Sequence, residues 1–275
     1  MSNNDSPALL PSGRPSINLR SLFAKRVHPD KGQNECVCIS LAEPQPESHE
    51  ALVNGLQKIL PFIYRTREQA HEILDRYGMR LPKEIPIPTA FNFQWSHTGE
   101  ILVCAYFEEC EDTVVLTYKW RLNTANNQNP FGMDVLAFDF KTKPPRIYAV
   151  AVKTTDPGDK DKTPSVVFKA LSELKDYLTT EKLDDDLELI SAHLQTDDYH
   201  RQIFQAWYNP YSQKVPANKP CLIAVPAIVT EGDGWDDRYA KPAINYRFGV
   251  PGAVRIICIK DLDRLVRLTY SRGER

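Results

Sequence analysis

The chain has 275 residues, 42% of them hydrophobic and 10% aromatic, so it can bury a sizeable core as one large domain or as one domain with an accessory part. Its 25% charged residues and formal net charge of -2 exclude a strongly basic protein that binds polyanions through its overall charge. The sequence lacks a signal-peptide pattern and any run of about eighteen apolar residues, so we expect a cytoplasmic protein with no membrane partner.

Residues 1–90 are predicted to form an N-terminal tail followed by a helical accessory part. The first 16 residues are rich in Ser, Asn, Pro and Gly, which bury little apolar surface, so a frayed tail is expected. Between Pro46 and Gly78, apolar residues recur at spacings of three and four, which predicts a helical hairpin or a broken helix. The prolines from Pro82 to Pro88 then predict an extended linker and a boundary near residue 90.

Two features of the N-terminal part allow more than one interpretation. Cys36 and Cys38 lie in an alternating run that predicts a strand of reduced thiols, and a zinc site is the less favoured interpretation. A basic cluster near the N-terminus either binds along the phosphate backbone of a nucleic acid or contributes to solubility. The cluster consists of Arg14, Arg20, Lys25, Arg26, His28 and Lys31.

Residues 91–275 are predicted to form an α/β core in which a mixed sheet is flanked by helices. The apolar run after Gly99 and Glu100 predicts a mostly buried helix from about residue 98 to Asp112. Runs rich in Val, Ile, Tyr and Phe predict strands, and apolar spacings of three and four predict helices. Strands are expected at 113–122, 133–140, 146–154, 221–229 and 254–260, and further helices at 165–177, 188–208 and 261–270.

Charged residues flank two of the predicted strands. Alternation along the strand at 133–140 places Asp134 and Asp139 on opposite faces of the sheet. On the next strand, Lys153 shares a face with Ala151 and ends an otherwise apolar run. Taken alone, each has a structural explanation: Lys153 extends from a strand end into water, and Asp134 follows a turn at Gly132.

Together these pieces resemble the core of the PD-(D/E)xK nucleases. The resemblance implies a restriction-endonuclease-like mixed sheet flanked by helices, with an N-terminal accessory part. It implies that Glu100, Asp134 and the residue at position 151 bind Mg²⁺ or Mn²⁺, since hard cations prefer oxygen ligands. It also implies that Lys153 orients or deprotonates the attacking water. Ala151 stands where these enzymes carry the acid. The positions that match the catalytic residues of the family are therefore Glu100, Asp134, Ala151 and Lys153.

Across residues 98–153 the sequence is similar to the Hachiman HamA-type family. The similarity lies in Gly99-Glu100-Ile101-Leu102, in a strand with Lys119-x-Arg121, and in the run from Gly132 to Asp139. This family pairs a PD-(D/E)xK subunit with a helicase-like partner, HamB, so the resemblance implies DNA cleavage in anti-phage defence. No GxxxxGK(S/T) loop occurs in the chain, so any NTP-driven motor must belong to the partner. We expect apolar side chains on the helices between Leu52 and Leu74 to supply part of that interface.

Ala151 decides between two classes of function. An alanine cannot ligate a metal, and truncation of a Glu at this position would leave the same local sequence. We interpret Ala151 as an engineered substitution that inactivates a nuclease. The alternative is a naturally inactive paralogue that serves as a nucleic-acid-binding or scaffold subunit, because a shared fold does not by itself specify function.

Lys169 is a further candidate for nucleic-acid binding. It lies on the predicted helix at 165–177 and can project toward a phosphate. The alternative is a lysine on the solvated face of that helix.

Overall fold

The computed structural model describes residues 10–27, 34–41, 46–77, 87–122, 132–155, 163–194, 196–232 and 237–271. Within these ranges the strands are β1 (Phe23–Val27), β2 (Glu35–Leu41), β3 (Val135–Asp139), β4 (Arg146–Thr154), β5 (Cys221–Glu231) and β6 (Ala253–Ile259). The α-helices there are α1 (Leu19–Leu22), α2 (Pro46–Tyr64), α3 (Arg67–Tyr77), α4 (Phe91–Cys110), α5 (Thr163–Leu178), α6 (Lys182–Ala192), α7 (Asp198–Ser212), α8 (Asp237–Ile244) and α9 (Leu262–Tyr270).

The six strands form one mixed sheet in the order β1-β2-β6-β5-β4-β3. The inner pairs β2/β6, β6/β5 and β5/β4 are parallel, whereas both edge strands pair antiparallel with their neighbours. The central strands are apolar on both faces, as expected where helices cover both sides of a parallel sheet. The sequence prediction of an α/β mixed sheet flanked by helices is therefore confirmed.

Two hydrophobic cores lie on opposite faces of the sheet. Residues of α2, α4 and α9 fill one core, together with Val150 and Val152 of β4. Residues of α5, α6, α7 and α8 fill the other, together with Ala149 and Ala151. Alternate residues of β4 thus point to α4 and to α5, so the strand that carries Lys153 is fixed from both sides.

β1 and β2 lie in the same sheet as the later strands. β2 pairs in parallel with β6 from Glu35↔Ala253 to Ser40↔Cys258. The sheet therefore includes strands from both sides of the boundary near residue 90 that the sequence suggests. The helical accessory part between Pro46 and Gly78 corresponds to α2 and α3, while the linker prolines from Pro82 to Pro86 lie outside the described residues.

Several predicted elements were wrong in kind or in extent. The predicted strand at 113–122 has only an isolated bridge between Val114 and Phe138, and it ends in a 3₁₀ helix, Lys119–Leu122. Its apolar side chains pack into the cores without pairing along a neighbouring strand. The predicted helix at 188–208 is two helices, α6 and α7, and the side chain of Asp197 caps α7 by accepting from the backbone N–H of His200.

The N-terminal segment is more ordered than its composition predicts. Arg14 has no exposed surface, and its Nε lies 2.7 Å from Glu108 Oε2 while its Nη1 lies 3.0 Å from Glu109 Oε1. The predicted frayed tail is therefore wrong for residues 10–16, and Arg14 cannot bind a phosphate backbone. Of the other cluster members, His28 and Lys31 lie outside the described residues.

Within the helices from Leu52 to Leu74, the expected partner-facing role is wrong for the apolar side chains of α2. Leu52, Leu56, Ile59 and Leu60 are 0% exposed and belong to the core on the α4 face. They stabilise the fold and are not available to an interface. No helix among the described residues is both long and apolar enough to cross a membrane.

Candidate active site

Asp134 directly precedes the edge strand β3 and is tied to β4. Val135 pairs with Val150 in antiparallel register, so Asp134 lies beside Ala151 and Val152. Its Oδ2 accepts a hydrogen bond from the backbone N–H of Val152 at 2.7 Å. The position of this carboxylate is therefore fixed by the strand that carries residue 151 and Lys153.

Lys153 approaches Asp134 from β4. Its Nζ lies 3.8 Å from Asp134 Oδ2 and 2.5 Å from Oε2 of Glu173 on α5. The Lys153 side chain is 23% exposed, so its ammonium group is accessible to solvent or to a ligand. Sequence reasoning missed Glu173, whose only signal is an acidic position within the helix that follows Lys153.

Glu100 reaches the same place from α4. It is 3% exposed, in a stretch of α4 where every residue from His97 to Glu109 is buried. Gly99 allows α4 to approach β4 closely, because a Cβ at this position would lie 1.9 Å from Thr154 Oγ1. The glycine before Glu100 is thus required by the packing of the helix against the strand that carries Lys153.

Lys119 lies between the two acids. Its Nζ is 2.7 Å from Asp134 Oδ1 and 3.2 Å from Glu100 Oε2, and its side chain is 12% exposed. The sequence singled out Lys119 only as part of a family pattern on a predicted strand. The available signal was a lysine between Tyr118 and Trp120 in an apolar segment, where a buried cation needs acidic partners.

Burial and charge set the ionisation of this group of side chains. Burial raises the pKa of Glu100 to about 8, although the positive charge of Lys119 opposes that rise. Burial lowers the pKa of Lys119, but the negative charges of Glu100 and Asp134 outweigh it and raise the pKa overall. Burial, with the Lys119 charge, lowers the pKa of the neighbouring His97 to about 3, so this imidazole is neutral at physiological pH. Lys119 therefore stays positively charged at physiological pH.

Position 151 supplies no ligand. Ala151 is 0% exposed and packs in the core that faces α5. Among the described residues, no group of three or more His, Cys, Asp and Glu side chains is arranged to hold a metal ion. Glu100 and Asp134 offer two carboxylates suited to a hard cation, but Ala151 provides no oxygen ligand at the third position. Lys119 also lies between the two carboxylates. The side chains in the part of the chain that the structure describes therefore do not complete a divalent-metal site.

A cavity of about 420 Å³ lies beside Asp134. Its acidic lining includes Glu173 from α5 and Asp185 and Asp186 from α6. Asp186 accepts hydrogen bonds from the backbone N–H of Met133 and from Tyr177 Oη, which fixes the turn before Asp134. The cavity provides room for a ligand next to Asp134.

Lys169 lies exposed on α5, one helical turn before Glu173. The structure thus places it on the helix that contacts Lys153, on a solvated surface.

The sequence of the chain was also compared with known protein families. The model of the HamA family matches residues 19–240, well over half of the chain. The chain belongs to the HamA family. The match includes Glu100, Lys119, Asp134, Ala151 and Lys153, and it ends before β6, although β6 lies between β2 and β5 at the centre of the sheet. HamA proteins are components of Hachiman anti-phage defence, so membership gives this chain a defence-system context. No curated protein shows a significant sequence match to the chain.

Proposed function

We propose that this HamA-family chain is the nuclease subunit of an anti-phage defence complex, and that Ala151 leaves the present form catalytically inactive. The observation that carries the proposal is that Glu100 and Asp134 share Lys119, while Asp134 lies beside position 151 and 3.8 Å from Lys153. Glu100, Asp134 and Lys153 come from a helix, the start of an edge strand and the adjacent strand, which is the arrangement expected of a PD-(D/E)xK nuclease with a restriction-endonuclease-like fold. An acid at position 151 would stand next to Asp134 on the face that carries Lys153.

In the form with an acid at 151, Glu100, Asp134 and residue 151 would hold Mg²⁺ or Mn²⁺, which supplies Lewis-acid activation of water and of the scissile phosphate. The chain's own residues have separate tasks. Asp134 is kept in place by the Val152 N–H, and Glu100 by the rigid packing of α4. Lys153 presents a cation to a phosphate oxygen or to the attacking water, with Glu173 fixing its ammonium group.

DNA is the proposed substrate, and the HamB helicase-like protein is the proposed partner. The formal net charge of -2 means that contacts to the phosphate backbone must be local. Lys169 is the proposed contact on α5, and Lys169→Ala should weaken DNA binding and reduce its salt dependence. A helicase-like partner would bring the strand to the site, since the acidic cavity beside Asp134 does not attract DNA by itself.

The alternative function is a nucleic-acid-binding or scaffold subunit without chemistry. Two observations favour it: Ala151 fits the core that faces α5 without exposure, and Lys119 contacts both acids without a metal. In this case Ala151 is the native residue. The residue encoded at position 151 in the source genome separates the two, since Glu or Asp there supports the enzyme.

The experiment is to restore the acid with Ala151→Glu and to assay DNA and RNA cleavage with Mg²⁺, alone and with the co-expressed partner. The proposal expects DNA cleavage that chelation abolishes, while the Ala151 form only binds DNA. Asp134→Asn or Lys153→Ala in the restored chain should silence it, because each has a separate role in the geometry. Failure of the chain to co-purify with the helicase-like partner would count against the proposed complex.

A further inference from the structure

The ammonium group of Lys119 stands where a cation shared by Glu100 and Asp134 would stand. Its Nζ contacts one oxygen of each carboxylate, at 3.2 Å and 2.7 Å. A divalent ion bridging these two carboxylates would occupy the same space. The lysine and the ion also carry like charge, and charges this close repel strongly in a buried site. Lysine and metal therefore exclude each other.

The surroundings of Lys119 hold it in this position. Its Nζ lies 4.9 Å from the centroid of the Trp120 ring, and that ring packs against His97 with centroids 3.5 Å apart. On the other side, Tyr118 Oη donates to Glu108 Oε2 at 2.9 Å, within the buried network of Arg14. The backbone on both sides of Lys119 is thus anchored. Its ion pairs are buried contacts of a fixed residue and not exchangeable surface pairs.

We propose that Lys119 is a built-in cation that replaces a divalent metal between Glu100 and Asp134, and that metal binds this site only when the ammonium group leaves. The inference rests on the proposed function in one respect, the assignment of Glu100 and Asp134 as metal ligands. Lys119 is then a positioning residue that keeps the two carboxylates together in the metal-free chain.

An acid at position 151 would change the balance between Lys119 and a metal ion. With Ala151, Lys119 contacts both Glu100 and Asp134, and Lys153 contacts Asp134 and Glu173. A third carboxylate at 151 adds negative charge beside Asp134, where Lys119 lies between the other two acids and Lys153 already pairs with Glu173. A divalent ion with more oxygen ligands then becomes the better partner. The number of carboxyl groups at the site therefore selects between Lys119 and the metal.

The test is Lys119→Met in the full chain with Ala151 retained. Mn²⁺ is the probe, and free Mn²⁺ is followed by electron paramagnetic resonance during a titration. The proposal expects Mn²⁺ affinity to rise by about tenfold or more, since a buried like charge has been removed. It also expects the melting temperature of the variant to fall in chelator and to recover with Mn²⁺, because a ligand that binds only the folded state stabilises it. Unchanged affinity would overturn the proposal.

Arg255→Met is the matched control. Arg255 is also a buried cation between two carboxylates, with side-chain exposure of 5% and distances of 3.2 Å to Glu111 Oε1 and 3.9 Å to Glu35 Oε2. Its removal should lower stability without creating Mn²⁺ affinity. If Mn²⁺ binds and stabilises both variants equally, any pair of freed carboxylates recruits the metal, and the proposal fails.

A second measurement keeps the proposal testable if Lys119→Met does not fold. In the Ala151→Glu chain, lysine acetylation by a water-soluble reagent is mapped by mass spectrometry with and without Mn²⁺. Acetylation of Lys119 should increase several-fold when the metal displaces it, whereas Lys214, which is 73% exposed and pairs with Asp184, should not change. Lys119 acetylation that stays constant would overturn the proposal.

Failure of this inference is distinguishable from failure of the proposed function. The titration measures metal binding and needs no cleavage. If Ala151→Glu cuts DNA but Lys119→Met gains no Mn²⁺ affinity, only the role of Lys119 is overturned. If Lys119→Met gains affinity but Ala151→Glu cuts no nucleic acid, only the nuclease proposal is overturned.

Discussion

Asp134 accepts a hydrogen bond from the backbone N–H of Val152 through Oδ2, at 2.7 Å. Its other oxygen, Oδ1, lies 2.7 Å from Lys119 Nζ. One carboxylate thus joins the start of β3, the strand β4 and the 3₁₀ segment that carries Lys119. Asp134 therefore has a structural role that is separable from any chemistry at the site.

Asp134→Asn should lower the free energy of unfolding by about 1–3 kcal/mol, because the charged partner of Lys119 is lost while the shape is kept. Urea denaturation measures the loss. Lys119→Met should lower the free energy of unfolding less in the Asp134→Asn variant than in the unmodified chain, because both changes remove the same ion pair. The coupling energy between the two substitutions should be about 0.5–3 kcal/mol. Strictly additive losses would show that the Asp134–Lys119 contact contributes nothing.

Glu100 should make stability depend on pH. Its pKa in the folded chain, about 8, lies above the ordinary value of 4.5, so the folded state holds the proton more tightly than the unfolded state. The stabilisation is complete below pH 4.5 and is lost as pH rises through 8. Glu100→Gln cannot titrate, so the free energy of unfolding of this variant should fall less over that window. Parallel curves for the two proteins in urea denaturation would refute this assignment.

Gly99→Ala should push α4 away from β4. The added Cβ would lie 1.9 Å from Thr154 Oγ1 and 3.2 Å from Thr154 Cβ, so rotation of the threonine relieves only part of the overlap. We expect a loss of about 1–3 kcal/mol in the free energy of unfolding. Thr154→Ala in the same chain should recover part of it, measured as a double-mutant cycle by thermal and urea denaturation. If Thr154→Ala recovers none of the lost free energy of unfolding, the strain does not come from contact with Thr154.

Arg14→Met should be severely destabilising, by about 3–5 kcal/mol, because it leaves Glu108 and Glu109 buried without their cation. The matched control is Arg76→Ala on α3. Arg76 forms an exposed pair with Glu72, with side chains 64% and 67% exposed, and its loss should cost no more than about 0.5 kcal/mol. Similar losses for the two variants in urea denaturation would contradict the assignment of Arg14 as a core residue.

The parts of the fold that were predicted from sequence follow from hydrophobic periodicity. The run from Ile147 to Thr154 gave β4, because a strand between two helical layers is apolar on both faces. A similar density of apolar residues wrongly predicted a strand at 113–122, where the side chains are buried by packing and not by strand pairing. Helix α4 begins at Phe91, seven residues before the predicted start. The prediction placed the start too late because Ser96 and Thr98 are of the residue types that cap helices, although both lie inside this one.

Strand alternation predicted only that Ala151 and Lys153 share a face of the sheet, and the resemblance to PD-(D/E)xK nucleases added Glu100 and Asp134. The structure places Asp134 beside Ala151 and 3.8 Å from Lys153. Lys119 and Arg14 were not predicted as partners of acids, because their contacts join positions 15 and 94 residues apart or more. A usable signal was present in Glu108 and Glu109, two acids in an apolar helix, which require buried cations from elsewhere in the chain.

The central claim is that an acid at position 151 completes a nuclease site, and Ala151→Glu measured beside Ala151→Gln tests it most directly. Glutamine has nearly the same size but no charge, so the pair isolates the carboxylate from the effect of a larger side chain at a fully buried position. With Mg²⁺ and the helicase-like partner present, the Glu variant should cleave DNA and lose this activity on chelation, while the Gln variant and the parent should not cleave. Equal activity of the Glu and Gln variants, or a Glu variant that binds no metal and cuts neither DNA nor RNA, would contradict the account.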